Sequence, residues 1–202
     1  PMPMEMAPID VSGKRVVVLG GGDTAMDSLR TAIRCGSARA TCVYRRDLAN
    51  MPGSRKEYSN AVEEGARFMF LTNPVSLEMN SERHVTGVRC VRMELGEPDA
   101  SGRRKPRAVR GSEFSIAAEV VLVAYGFDPV PVPPATGLGT IAVNDWGGII
   151  VDSNQMTSVP GVFPGGDDAR GPSLVVHAVR DARRAAKSKK AYVTGKVSSA
   201  SS

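Results

Sequence analysis

The sequence predicts an α/β fold in which a parallel sheet carries an antiparallel meander. Three observations predict it. The apolar run Arg15-Val16-Val17-Val18-Leu19 stops on Gly20-Gly21-Gly22-Asp23-Thr24-Ala25, which reads as a buried strand turning on glycines into a helix. Ala25, Leu29, Ala32 and Ile33 then share one helical face and lead into a second strand, Ala40-Thr41-Cys42-Val43-Tyr44, giving the strand–helix–strand order of a parallel unit. Farther on, β-rich segments separated by short polar breaks precede the fully apolar run 120–125, of the kind a sheet covered on both faces uses.

The remaining elements follow in order. A helix is expected over 54–64, stopping at Gly65, and strands over 67–71, 75–79 and 85–94. The turn-rich stretch 96–106 leads to strands at 112–116 and 120–125. A domain boundary is expected beside Gly126, so that 10–127 forms the first domain and 128–195 a second. The proline-rich stretch 130–134 reads as linker, and the serine-rich end, 196–202, as a disordered tail. Near the C-terminus a helix is expected from Ser173, with Gly171 as cap and Pro172 at its first position. Val175, Val179, Ala182 and Ala186 would form its buried stripe.

The glycine turn is the feature that carries chemistry. A strand ending on glycines at a helix N-terminus gathers unpaired backbone N–H groups at one point, a site built for a pyrophosphate. Gly20 allows the tight turn, Gly22 lets phosphates approach the backbone, and small Ala25 lets helix and strand pack closely. At the end of the second strand an NAD-preferring fold places an acid for the ribose hydroxyls; this chain has Arg45-Arg46. Two guanidinium forks suit a 2′-phosphate, so NADPH is the expected dinucleotide. Arg55, after the turn Met51-Pro52-Gly53, is a further candidate for the same phosphate.

Composition excludes several classes. Lys and Arg outnumber acidic residues 26 to 21, but no aromatics interleave the basic runs, which argues against a nucleic-acid surface. No apolar stretch is long enough to span a bilayer and no signal peptide is evident. Cys35, Cys42 and Cys90 lack C-x-x-C spacing, so neither a disulfide framework, a metal site nor a redox dithiol is expected, and the setting is read as cytoplasmic. His84 falls in a turn and His177 in the last helix; neither is read as catalytic. A second glycine-bounded segment, Gly161 to Asp167, places a carboxylate beside a helix start.

These motifs resemble the small (beta) subunit of bacterial NADPH-dependent glutamate synthase. The resemblance runs from Gly13 to Tyr192 and rests on residues 16–27, Tyr-Arg-Arg-Asp at 44–47, Asn-Met-Pro-Gly-Ser-Arg at 50–55, Glu-Glu-Gly at 63–65, Gly-Ser-Glu-Phe at 111–114, Val-Phe-Pro-Gly-Gly-Asp at 162–167 and Arg-Gly with Ser-Leu-Val-Val within 170–176. It implies a pyridine-nucleotide-dependent flavin oxidoreductase fold: a Rossmann-like NADPH-binding domain followed by the C-terminal part of an FAD-binding domain. It implies that Gly22, Asp23 and Thr24 meet the NADPH pyrophosphate, that Arg45 and Arg46 meet its 2′-phosphate, and that Gly126 lies beside the nicotinamide half. Gly166 and Asp167 would contact the FAD ribitol and phosphates, with the Leu174 and Val175 backbone near the flavin ring.

The implied task is hydride transfer from NADPH to FAD, with electrons passing through iron–sulfur clusters to a large (alpha) subunit that forms glutamate. Such transfer depends on distance and orientation, so no catalytic side chain is named. The family's cysteine-rich start and first FAD glycine motif have no counterpart, and the chain reads as the C-terminal half of such a subunit with half an FAD site, inactive by itself. Pro164 and Ala182 stand where the family carries alanine and glycine. The same input portion would also suit a ferredoxin–NADP reductase, a pyrimidine-reducing enzyme, or a non-catalytic NADPH-binding module.

Overall fold

The computed structural model describes residues 9–98, 104–127, 137 and 140–195; the linker expected over 130–134 and the tail over 196–202 lie outside the described residues. The chain divides into two compact units, Pro1–Tyr125 and Gly126–Ser202. The first contains β1 (Arg15–Leu19), α1 (Asp23–Arg34), β2 (Arg39–Val43), α2 (Arg55–Glu63), β3 (Arg67–Met69), β4 (Thr72–Met79), β5 (Val85–Pro98), β6 (Arg104–Ala108), β7 (Phe114–Ala117) and β8 (Val120–Val123). Its parallel sheet has the order β3-β2-β1-β8, and a second sheet runs β4-β5-β6 with β7 also on β5.

Both faces of the parallel sheet are covered, which explains why β1 is apolar almost throughout. Val16, Val18, Ala40 and Cys42 pack under α1 through Ala25, Met26, Leu29 and Ala32. Val17, Leu19 and Val43 pack on the other face against Val88 and Cys90 of β5 and Ala118. The antiparallel sheet thus stands where a helix would otherwise cover the second face. Arg30 ties α1 to α2, reaching Glu64 at 2.8 Å and pairing with Glu57.

β3, β7 and β8 differ from expectation by one or two residues at their ends, and three strands depart further. β4 begins at Thr72, ahead of the expected 75, because the register shift between Pro74 and Ser76 absorbs the proline. β5 runs on to Pro98, and β6 occupies part of the stretch read as turns. β6 pairs with β5 alone, and an edge strand tolerates Pro106 and a run of cations that a central strand would not.

In the second unit, α3 (Asp167–Arg170) precedes α4 (Val175–Val193). Here two expectations are corrected. Gly171 caps the end of α3 at φ 86°, and its N–H donates to the Asp167 carbonyl at 2.8 Å. Pro172 and Ser173 therefore connect the two helices, and α4 starts at Val175, two residues later than expected, with Leu174 as extended N-cap. The buried face of α4 is also not the expected one: Asp181 and Ala185 are buried, whereas Val175 is 78% exposed and Val179 46%. Alanine-sized residues face the preceding glycines, since a Cβ on Gly166 would lie 3.2 Å from the Ala178 Cβ. Arg170 forks onto Asp181 at 2.5 and 2.9 Å, holding that carboxyl below its usual range and joining α3 to α4.

Glu119 anchors the start of β8 to the start of β1. It accepts from the Arg15 backbone N–H at 2.7 Å and from the Arg15 guanidinium, and its pKa is pulled down to about 2. A carboxylate with a depressed folded-state pKa stabilises the fold above its unfolded pKa, and that contribution disappears as pH falls towards about 2. Glu119→Gln should therefore flatten the acid limb of stability between about pH 4.5 and 2 relative to the parent, read as urea midpoint against pH.

Candidate functional site

The glycine turn is clamped from both neighbouring strands. Gly20 N–H donates to the Val43 carbonyl at 3.2 Å, and Ala124 N–H donates to the Leu19 carbonyl at 2.8 Å. The Cys42 thiol donates to the Gly20 carbonyl at 3.0 Å; burial pushes its pKa up to about 12, so it stays a thiol. Gly20 sits at φ 142°, and a Cβ there would lie 2.3 Å from the Ala124 carbonyl oxygen. Gly21 is equally constrained, because its Cβ would lie 2.6 Å from the Tyr44 ring.

Gly22 is the open member of the trio. It is the N-cap of α1, in ordinary extended backbone, and a Cβ there would meet nothing within 4 Å. The amides of Gly22, Asp23 and Thr24 have no hydrogen-bond partner among the described residues. First-turn amides of this kind are the donors a bound phosphate uses. Ala25 is fully buried beneath the turn, letting α1 lie close on β1.

The loop after β2 folds over the turn and is fastened to it. Gly53 N–H donates to the Gly21 carbonyl at 2.9 Å, and Ser54 N–H donates to the Asp23 carboxylate at 2.8 Å. Tyr44 lies against Gly21 and donates its hydroxyl to the Asn50 carbonyl at 2.8 Å. Asp47 accepts from Asn50 N–H and from its side-chain amide at 2.9 and 2.7 Å, which hold the carboxyl below its usual range. Tyr44 and Gly53 are positioning residues that sequence reasoning did not single out; the only signal was their place in the runs at 44–47 and 50–55.

The first unit holds the expected glycine-turn residues and the three arginines, and two of these residues take other partners. Arg45 is exposed at the end of β2, and Arg46 is partly buried with its Nε hydrogen-bonded to nothing among the described residues. Arg55, expected at the phosphate, instead holds the Leu48 and Ala49 carbonyls, the latter at 3.1 Å, and so braces the loop that carries the other two arginines. Asp23 likewise spends its carboxylate on Ser54, leaving its backbone amide as the group that faces a ligand. Gly126 adopts φ 87° with open space around it. In the second unit, Gly166 is buried at φ 75°, Asp167 is exposed in the first turn of α3, and Leu174 and Val175 begin α4 with exposed side chains. His84 is exposed beside Glu82, and His177 shares a 2.8 Å hydrogen bond with Ser173.

Residues 3–182 match the family described as Pyridine nucleotide-disulphide oxidoreductase. The chain belongs to this family. Among curated relatives it is 52% identical over 182 residues to the putative oxidoreductase AegA of Escherichia coli (strain K12), covering 88% of this chain and 28% of that protein. It is 47% identical over 193 residues to the glutamate synthase [NADPH] small chain of Azospirillum brasilense, covering 95% of this chain and 40% of that one. The chain thus spans less than half the length of these relatives. Among solved structures, FprA from Mycobacterium tuberculosis in complex with NADPH superposes with a TM-score of 0.70 at 19% identity, over 94% of this chain and 56% of that one. That likeness establishes the fold.

The two glycines of this oxidoreductase turn should separate on substitution. Gly20→Ala forces a Cβ into the Ala124 carbonyl and should destabilise the protein by at least about 2 kcal/mol in urea denaturation. Gly22→Ala should stay within about 1 kcal/mol of the parent while weakening dinucleotide binding measured by calorimetry.

Proposed function

We propose that this chain is the NADPH-binding, electron-input portion of a flavin oxidoreductase of the glutamate synthase small-chain type. The observation that carries the reading is the juxtaposition of unpaired first-turn amides beside Gly22 with two arginines at the end of β2, one with a buried, unpartnered Nε. An amide-lined turn suits a pyrophosphate and a pair of guanidinium forks suits the added 2′-phosphate. On this reading Gly20 and Ala25 shape the turn, and Gly22, Asp23 and Thr24 donate backbone N–H groups to the pyrophosphate. Arg45 and Arg46 hold the 2′-phosphate, while Arg55 keeps their loop in place. Gly126 leaves room for the nicotinamide half.

On the FAD side this chain would supply half a site. Gly166, Asp167 and the backbone at Leu174 and Val175 would meet the flavin and its ribitol; Gly166 fits because its lack of a side chain lets the turn lie against Ala178. A bound flavin would supply a two-electron acceptor for hydride. This chain's residues hold and orient the dinucleotide, and none is needed as an acid or base. Relatives named both as glutamate synthase small chains and as putative oxidoreductases share this portion, which supports an acceptor chosen elsewhere, with iron–sulfur clusters and a large subunit as the proposed partners.

Calorimetric titration with NADPH and NADH tests the reading. NADPH should bind at least about tenfold tighter, and Arg45→Ala with Arg46→Ala together should abolish the difference. Equal affinities in the parent would overturn the cofactor assignment. The purified chain should carry no visible flavin absorbance; a yellow protein would show that the FAD site is complete.

A further inference from the structure

The parallel sheet holds a second polar cleft at the end opposite the glycine turn. Its origin is in the register. Arg15 pairs with Arg39, and Thr41 pairs with Arg67. Partners in a parallel ladder face the same side, and sides repeat every second residue, so Arg15, Arg39 and Arg67 all share the face of Val17 and Thr41. That is the face the antiparallel sheet covers. Near the strand starts the cover is incomplete, and a cleft of about 440 Å³ opens, lined by the three arginines, Thr41, Phe114 and Ile116 among others. Small-molecule sites fall within this size range.

The charges in this cleft are not balanced within the fold. Glu119 takes up Arg15, but Arg39 and Arg67 have no carboxylate within ion-pair distance among the described residues. Like charges directly opposite on neighbouring strands destabilise a sheet, and Arg15 and Arg39 are such a pair. The nearby Glu78 does not serve: it accepts the Ser115 hydroxyl at 2.5 Å, and Ser115 alternates with Phe114 and Ile116, so it lies on the opposite face of β7. Arg39 and Arg67 thus line a space that Phe114 and Ile116 also border.

We propose that this cleft binds a small organic dianion with a compact apolar body, of the aromatic dicarboxylate class. Arg39 and Arg67 each take one carboxylate, and the body lies against Phe114 and Ile116. A carboxylate matches the guanidinium fork in geometry, and desolvation of the apolar body adds to the binding. The site is separate from the one that Arg45 and Arg46 form, and it stands whether or not that site takes NADPH.

The test uses the whole chain with isophthalate as probe, and neutral isophthalamide and inorganic phosphate as comparisons, followed by calorimetry and amide chemical shifts. Isophthalate is expected to bind, to shift amides of β2, β3 and β7, and to lose about tenfold in affinity with either Arg39→Gln or Arg67→Gln. Both substitutions lie on exposed side chains, and far-UV circular dichroism checks that each variant is folded. The Arg45→Ala, Arg46→Ala double variant should bind isophthalate as the parent does. No binding at about 10 mM probe, parent-like affinity in the Arg39→Gln or Arg67→Gln variant, loss in the Arg45, Arg46 variant, or phosphate binding as tightly as isophthalate would each overturn the proposal.

Discussion

The whole site depends on the absence of a single side chain at Gly20. The chain leaves β1 with its amide held by β2 and its carbonyl held by the Cys42 thiol, while the backbone of Ala124 closes in from β8. A methyl group there would sit inside the Ala124 carbonyl. With that close approach, β8 can dock beside β1 and the first turn of α1 is presented at the rim of the sheet. Without it, strand order and donor placement would both be lost. Cys42 fits this role because a buried thiol is small, apolar and still able to donate one weak hydrogen bond.

A second layer of fastening keeps the arginine loop over the turn. Gly53 and Ser54 bond to Gly21 and Asp23, Tyr44 and Asp47 both bond to Asn50, and the Tyr44 ring packed on Gly21 joins the two sets. Arg55 adds two carbonyl contacts. The cost of ordering this loop is thereby met in folding, not in binding, which is how preorganised sites gain affinity. The position of Asp23 also becomes intelligible. A free carboxylate at a phosphate-binding helix start would repel its ligand, and the Ser54 amide turns it aside while it still complements the helix dipole.

The parts of this molecule that were legible in sequence are those where one physical demand dominates. The β1 run, the glycine turn and α1 each satisfy a single periodicity, and their packing follows it. β6 was hidden because its basic, proline-containing sequence suits an edge hairpin and a loop equally well. The face of α4 differs because apolarity selects the valines, whereas close approach to Gly165 and Gly166 selects Ala182 and Ala178, and Asp181 and Ala185 are buried instead of Val175 and Val179. Asp181 is buried only because Arg170, eleven residues earlier, supplies a fork for it. At the candidate site, residue type located Arg45 and Arg46, but no pattern distinguishes an arginine that awaits an anion from one, like Arg55, that already holds two carbonyls.

The two units differ in how self-contained their sites are. Every strut of the glycine turn, from Leu19 through Tyr44 and Gly53 to Ala124, comes from within Pro1–Tyr125. On the proposed reading, the groups that would hold the pyrophosphate and the 2′-phosphate therefore all come from the first unit. The second unit is built otherwise. Its glycine turn rests on α4 and its ion pair is internal, yet Leu174, Val175 and Val176 stand 62%, 78% and 66% exposed at the very start of that helix. Adjacent large apolar side chains at a helix start lower the free energy only when something covers them. On the proposed reading, the backbone that would meet the flavin therefore opens a helix whose first apolar side chains are left for a bound group or another protein surface to cover.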